Sequence, residues 1–590
     1  DGDTRVAWRQ VNTAAMHPVE VPVHAQSHNL PHIDGNYADL GAHAEDFVAG
    51  FTAYATFLSR LRARDLFDGF SGLPVRRVLR PTQFYSMLLH RLRDDRTMYD
   101  GVAWSAQADF LARLADWDDS DPRWPFQRNE REALLRLDVP RFTVDNSEGL
   151  VRATDRLRRL DASEISWQTE VIRQAWAAVG QRPSTDSAIP FASVEVESAP
   201  PSEAFVKEAD AVADQIVSGA VRRGSGAAWV GLGFLPGSDA CRLEVLGPDL
   251  YSGSCGIALF LAAHARVRKS GRSADLALAA VSQLRRELTG RNAKHQARVL
   301  GLGGATGLGS VLYAFAVMSK LLDDVDLLED ARATTALISD DLIAEDRQLD
   351  VVSGCAGAIL TLLRLYRETG WQDALKTAER CGEQLMETER LGAEGQRSWR
   401  GAQPNLLGIT GMSHGAAGFG YALCELAAVT GRADFAEAAV ECFAFASGQF
   451  RAENPPRSQW CHGAVGIGLA RLAVAKFGSV PVTTVADDVD AALGGAELIW
   501  PCHVDTLCCG SLGAVELLAE AGTVLRRAEL VQSGSRHLSA VLKTKTSAGD
   551  YRWNTGSSRF NLGLFRGLAG VGYTFLRRVD GSLPNVLIWE

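Results

Sequence analysis

The sequence predicts a mainly α-helical protein whose larger part is a sevenfold repeat of helix pairs. A Gly-x-x-Gly followed at once by an apolar run recurs at Gly253/Gly256, Gly304/Gly307, Gly354/Gly357, Gly415/Gly418, Gly463/Gly466, Gly510/Gly513 and Gly567/Gly570. Successive first glycines lie 47 to 61 residues apart, a period that marks a repeat architecture. Runs such as Ile257 to Leu261, Ala358 to Leu363 and Phe419 to Leu423 suit buried helices, and a more polar amphipathic helix often follows, as in Gln372 to Met386 or Ala433 to Phe445. Glycine at these heads permits close packing, because a missing side chain lets one backbone approach another.

At 590 residues the chain is too long for one ordinary core, and its 46% hydrophobic content can bury a large interior. A net charge of -10 with a pI near 5.7 argues against a nucleic-acid partner, whose footprint would be basic. No apolar run approaches the roughly 18 to 20 residues of a membrane span. The opening DGDTRVAWRQ has neither an initiator Met nor an apolar signal core, so the start reads as a truncation with chemistry expected upstream. Ten cysteines in so long a chain do not form a disulfide scaffold. Cys241, Cys255, Cys355, Cys381, Cys424, Cys442 and Cys502 read as small core residues or unpaired thiols, and a reducing cytoplasm is the natural compartment.

Residues 1 to about 180 are helical without a repeat. Phe47 to Leu58 carries apolar residues at three- and four-residue spacing. Val75 to Tyr85 predicts a short strand, a break at Pro81 and a helix starting near Thr82. A helix N-terminus beside several arginines, Arg76 among them, could hold a phosphate; the alternative is a solvated basic edge with Thr82 as a cap. From 181 to 204 the Pro-, Ser- and acid-rich texture of Gln181 to Ser187 and Glu197 to Ser202 marks a linker. The helix pairs after it can stack as an open solenoid or close as a ring. A closed ring would gather the glycine turns at one mouth, bringing Cys461, Cys508, Cys509, His414 and Asp249 together despite their separation in sequence.

Chemistry concentrates at two repeat heads, Trp460-Cys461-His462-Gly463 and Cys508-Cys509-Gly510. At a turn, adjacent thiols can face one ion, and Cys461 completes a three-sulfur set that selects zinc and leaves a fourth position for water or substrate. Three thiolates around a divalent ion leave a charge of -1, so a thiol entering the fourth position ionises yet stays electron-rich. The alternative is a closed structural zinc or no metal at all, although the paired C-x-x-C knuckles usual in structural sites are absent. His414 is a proton carrier or a structural histidine. Arg457 stabilises an anion or sits in solvent beside Pro455-Pro456. Asp249 orients a histidine or caps the following helix.

Gly-Pro-Asp-Leu-Tyr-Ser-Gly from Gly247, Gly-Met-Ser-His-Gly from Gly411, Arg457-x-x-Trp460-Cys461-His462-Gly463, Cys508-Cys509-Gly510 and Leu564 to Tyr573 together resemble the lanthionine cyclase domain, over residues 205 to 590. Asn29-Leu30-Pro31, Val75 to Thr82 and Glu132 to Phe142 are similar to the C-terminal section of the dehydratase domain of class II (LanM-type) lanthipeptide synthetases. The resemblance implies an α/α toroid of seven helix pairs, preceded by a mostly helical α+β fragment of a kinase-like dehydratase domain over 1 to 180. It further implies zinc on Cys461, Cys508 and Cys509, and addition of a precursor-peptide cysteine to dehydroalanine or dehydrobutyrine. In that reaction His414 is the acid/base residue, Asp249 its paired carboxylate and Arg457 the cation near developing charge; His462 assists or packs.

Arg76 and Thr82 match positions that eliminate phosphate from modified Ser or Thr, while ATP and Mg²⁺ serve only a full-length dehydratase. The phosphorylating machinery is not visible: His32-Ile33-Asp34 lacks a suitably placed Asn, and Gly301 to Gly304 opens a helical repeat. The chain as given is therefore expected not to phosphorylate its substrate. The departure from the family is the third zinc ligand, usually histidine and here Cys509, as in a three-cysteine subgroup that tends to accept many substrates. The partner implied is a precursor peptide with its leader. The competing readings are another zinc thiol-alkylating toroid, of glutathione-adding or prenyltransferase type, and a non-catalytic peptide-binding scaffold.

Overall fold

The computed structural model describes residues 2–8, 16–22, 32–33, 36–37, 43–61, 66–108, 126–180, 202–234, 241–388, 390–391, 397–398, 410–452, 457–498, 500–553 and 561–590. The Asn29 to Pro31 motif, Pro455-Pro456 and linker residues 181–201 lie outside them. The chain divides into two compact units, one of residues 46–169 and one of residues 1–45 with 170–590.

In the smaller unit the strand Pro74–Arg77 pairs antiparallel with Phe142–Asp145, and the helix Thr82–Leu92 follows the break at Pro81. The helix Ala44–Ser59 carries the predicted Phe47 to Leu58 periodicity. Tyr85, Leu88, Leu89, Leu92 and Leu134 form a small core. Beside it Glu130, fully buried, accepts from Arg80 Nε at 2.9 Å and from the Tyr85 hydroxyl at 2.5 Å. Pairing of this kind is what makes a buried carboxylate tolerable. Proline, which has no N–H to lose at a helix start, occupies the cap position before Thr82, so Thr82 is the first helical residue and not the cap.

In the larger unit seven apolar helices form an inner ring: Ser254–Arg268, Leu308–Leu322, Cys355–Thr369, Ala416–Thr430, Ala464–Lys476, Ser511–Val524 and Leu568–Val579. Each packs on the next and the last packs on the first. Because both their faces are covered, they are apolar nearly all round; Cys255 to Ala265 is buried without interruption. The first six pair with the amphipathic outer helix that follows in sequence. The seventh pairs instead with Ser202–Ser218, which precedes the whole ring and packs Phe205 against Phe575 at 5.6 Å between ring centres.

The second repeat is corrected by three residues. Its inner helix begins after Gly307, not Gly304, so Gly307 is the equivalent of Gly253, Gly354, Gly415, Gly463, Gly510 and Gly567, each of which immediately precedes an inner helix. The extra glycines serve contact between turns: a Cβ on Gly303 would strike the Val352 carbonyl and the Ser353 backbone.

The ring is filled. Residues of the C-terminal stretch run through it, with Trp589 Nε1 donating to Gly304 O at 2.8 Å, the Tyr421 hydroxyl to Ile588 O at 2.7 Å and Trp460 Nε1 to Leu587 O at 3.1 Å. Among the described residues no helix is long and apolar enough to cross a membrane.

On the outer helix Ala528–Ala548, His537 stacks on Trp500 with ring centres 3.8 Å apart, and its Nδ1 is buried without a partner. Burial, and then the neighbouring Arg536 charge, lower its pKa to about 4. The unfolded chain therefore binds this proton first, near pH 6.5. Its contribution is complete above that pH and is lost as pH falls toward 4, by at most about 1.4 kcal/mol per pH unit and less for partial solvent access. Thermal midpoints of His537→Phe measured from pH 7.5 to 4.5 should fall less steeply than those of the parent; parallel curves would contradict this.

Candidate functional site

The turns before the inner helices form a closed circle of backbone hydrogen bonds. Tyr251 N donates to Ala305 O, Ala305 N to Val352 O, Val352 N to Ser413 O, Ser413 N to Cys461 O, Trp460 N to Cys508 O, Cys508 N to Phe565 O, and Phe565 N to Tyr251 O, at 2.9 to 3.3 Å. The circle needs its glycines, since a Cβ on Gly411 would meet the Cys461 carbonyl and one on Gly466 the Trp460 carbonyl. Each turn is thereby tied through its backbone to both of its neighbours around the ring. The convergence expected from a closed ring is thus built in backbone.

Cys461, Cys508 and Cys509 meet on this circle, their sulfurs all within 4.8 Å of one another. Cys509 Sγ lies 3.8 Å from Cys461 Sγ and 3.5 Å from Cys508 Sγ. Cys508 is 1% exposed and Cys461 9%, so the cluster is sealed on the Cys508 side. The Tyr251 hydroxyl donates to Cys508 Sγ at 3.0 Å, and Arg566 Nη2 stands 3.8 Å from Cys509 Sγ. Contacts from Cys461 and Cys508, with Arg566 adding to them, hold the Cys509 thiol well below its usual pKa; the same sharing with Cys461 and Cys509 pushes Cys508 well above. Trp460 stacks obliquely on Phe565 and Trp589, at 5.3 and 6.1 Å between ring centres, and fixes the floor beneath Cys461.

His414 follows Ser413 on the adjoining turn, with its side chain 40% exposed. Its Nδ1 is 2.7 Å from Asp350 Oδ2, while Asp350 Oδ1 accepts from Ser353 N at 2.8 Å. The carboxylate paired with His414 is therefore Asp350, which corrects the expectation for Asp249. Asp249 Oδ1 instead accepts from Ser252 N at 2.7 Å, inside the turn of the first repeat, and burial raises its pKa. The reason lies in ring order: Asp350 comes from the repeat directly before that of His414, and Asp249 from two repeats earlier still. The signal was present, because Asp-x-x-Ser-Gly-x-x-Gly occurs twice, from Asp249 and from Asp350.

The His462 ring lies 6.0 Å from that of His414, and its Nδ1 is buried without a partner. Burial, then the charges of His414 and Arg457, lower its pKa and favour the neutral ring. Arg457 is exposed, and its carbonyl accepts from Ala464 N at 2.8 Å on the turn that carries Cys461. Arg76 and Thr82 are exposed in the smaller unit, on the strand Pro74–Arg77 and at the first position of the following helix. Two neighbouring guanidinium groups there are engaged by carboxylates, Arg77 with Glu148 at 3.1 Å and Arg80 with Glu130 at 2.9 Å. Sequence reading did not find Asp350, Tyr251 or Arg566. Tyr251 comes from the first repeat, which only ring closure places beside the thiols, and Arg566 from the seventh, next in order after the repeat of Cys508 and Cys509.

The family model described as lanthionine synthetase C-like protein matches residues 244–588, more than half of the chain. The chain belongs to the lanthionine synthetase C-like family. A second model, a domain of unknown function (DUF4135), matches residues 3–145. The two together are typical of class II (LanM-type) lanthipeptide synthetases, and the resemblance read from the motifs holds. No curated protein sequence matches the chain. Among solved structures, nisin cyclase is similar over 58% of this chain and 92% of its own, at 14% identity and a TM-score of 0.44. An unsaturated glucuronyl hydrolase specific for heparin covers 60% of this chain and 100% of its own, at 12% identity and 0.31. A family 76 glycoside hydrolase from a bovine Bacteroides thetaiotaomicron strain covers 58% and 78%, at 13% identity and 0.27.

The lanthionine synthetase C-like site fits zinc by its donor set. Zinc–sulfur bonds of about 2.3 Å in tetrahedral array separate sulfurs by roughly 3.8 Å. The observed 3.8 and 3.5 Å agree with that spacing.

Proposed function

We propose that this chain closes lanthionine and methyllanthionine rings in a ribosomal precursor peptide, as the cyclase of a bifunctional dehydratase-cyclase of the cytoplasm. The observation that carries this reading is the three-sulfur cluster sharing one circle of turns with a carboxylate-held histidine. Cys461, Cys508 and Cys509 would hold zinc, which when bound lowers the pKa of an incoming cysteine thiol and keeps it nucleophilic.

The peptide thiolate adds to the β-carbon of dehydroalanine or dehydrobutyrine; a carbon–sulfur bond forms, the carbon–carbon π bond breaks, and the α-carbon takes a proton. His414 supplies that proton from Nε2, because Nδ1 is occupied by Asp350. Asp350 fixes the ring and stabilises its protonated form. Arg457, on the turn leading to Cys461, offsets charge on the enolate, and His462, favoured neutral, lines the same face. In the remainder of the chain we assign residues 1–180 to the dehydratase part, 181–204 to a linker and 205–590 to the cyclase. Arg76 and Thr82 then serve phosphate elimination, and ATP with Mg²⁺ are the cofactors of the dehydratase reaction. The peptide partner carries a leader sequence.

A dehydrated precursor peptide is incubated with the protein and its remaining thiols are counted by alkylation and mass. Ring closure removes an alkylation adduct without changing the peptide mass. The parent protein should contain one zinc per chain and close rings well above the spontaneous rate. His414→Asn should keep its zinc and slow closure about 10²- to 10⁴-fold. A parent protein no faster than buffer sinks the reading, and full activity in His414→Asn removes the acid/base assignment. Addition of free glutathione in place of intramolecular closure would favour the glutathione-adding alternative.

A further inference from the structure

The thiol cluster touches a cation that none of the roles above uses. Three thiolates around a divalent ion carry -1, and a fourth thiolate from the peptide makes -2. Buried negative charge of this size requires a partner. Arg566 places Nη2 3.8 Å from Cys509 Sγ. It is half-buried, and its own backbone neighbour Phe565 is locked between Tyr251 and Cys508 by two hydrogen bonds of 2.9 Å. The guanidinium is thus aimed from the seventh repeat at a sulfur of the sixth.

We infer that Arg566 is a positioning residue for the metal centre, its fixed positive charge offsetting the negative charge that a third sulfur ligand adds at Cys509. The inference rests on the zinc reading above. A neutral third ligand would not need this charge, so the value of Arg566 is tied to Cys509 being a thiolate ligand. Arg566 acts through that ligand and has no role in moving protons.

Zinc affinity is measured by competition with a chromophoric chelator on the full chain, without any turnover assay. Arg566→Gln should weaken zinc binding about 10- to 100-fold, the range for groups that support metal ligands. Arg566→Lys, which keeps the charge, should stay within about threefold of the parent. In a Cys509→His background, where the third ligand is neutral, Arg566→Gln should change the affinity by less than about threefold. Equal losses for Gln and Lys overturn the inference, as does an undiminished loss in the Cys509→His background. Should Arg566→Gln not fold, Arg566→Met, which keeps the aliphatic stem, replaces it in both comparisons; should Cys509→His not hold zinc, the contrast with Arg566→Lys decides. A parent protein that binds no zinc sinks the zinc reading itself, whereas zinc binding unaltered by Arg566→Gln sinks only this inference.

Discussion

Cys508→Ala should leave the protein folded, without zinc and with no ring closure above the spontaneous rate. Cys508 is the most deeply buried of the three sulfurs, 1% exposed, and contacts both other thiols and the Tyr251 hydroxyl. Removing it leaves two ligands, too few for a catalytic zinc that needs three from the protein. The folding cost is small, because alanine fills most of the space of a cysteine and the backbone bonds from Cys508 N to Phe565 O and from Trp460 N to Cys508 O do not involve the side chain. The expected readings are loss of zinc by metal analysis, a thermal midpoint close to that of the metal-free parent, and at least a 100-fold drop in closure rate, the order associated with losing a zinc-held nucleophile. Retention of zinc at parental stoichiometry would show that the three sulfurs are not the ligand set.

The second large effect separates two aspartates that stand at the same place in their repeats. Asp350→Asn should slow ring closure about 10²- to 10⁴-fold with zinc retained. The amide can still accept from Ser353 N but cannot offer a negative oxygen to His414, so the histidine loses both its fixed orientation and the stabilisation of its protonated form. Asp249→Asn should leave the closure rate within a few fold, since Asp249 is bonded to Ser252 N within its own turn. If Asp249→Asn were the slower of the two, the carboxylate acting with His414 would have to be reassigned.

Much of this architecture is legible in the residues. The seven glycine-headed apolar runs mark the inner helices because full burial demands uninterrupted apolar character, and Cys461, Cys508 and Cys509 stand out as thiols at turns, where the structure brings their sulfurs together. What the repeat pattern could not supply is neighbour identity around the ring. Asp249 and Asp350 sit in indistinguishable motifs, and only the order of the turns shows that Asp350 abuts His414. Gly304 resembles a helix head because the second repeat carries Gly301, Gly303, Gly304 and Gly307, and spacing alone does not tell a glycine that starts a helix from one that lets two turns touch. Arg566 stands on the repeat next to the sulfurs, and nothing in its motif marks its aim at Cys509. Tyr251 lies 257 residues before Cys508, and it reaches that sulfur only because the first and seventh repeats meet.

That meeting has a consequence for synthesis. The helix Ser202–Ser218 buries Phe205, Ala209, Val212, Ala213 and Ile216, and it does so against Leu568–Val579. A ribosome delivers the second of these helices about 350 residues after the first. At about 5 to 20 residues per second, the apolar stripe of the first waits roughly 20 to 70 s for its partner. Throughout that interval the stripe is unmatched, and when the sulfurs of the sixth repeat emerge neither Tyr251 nor Arg566 is yet in place beside them. The ring therefore closes last, at the joint between its own first and last elements, after its other six inner helices have been made.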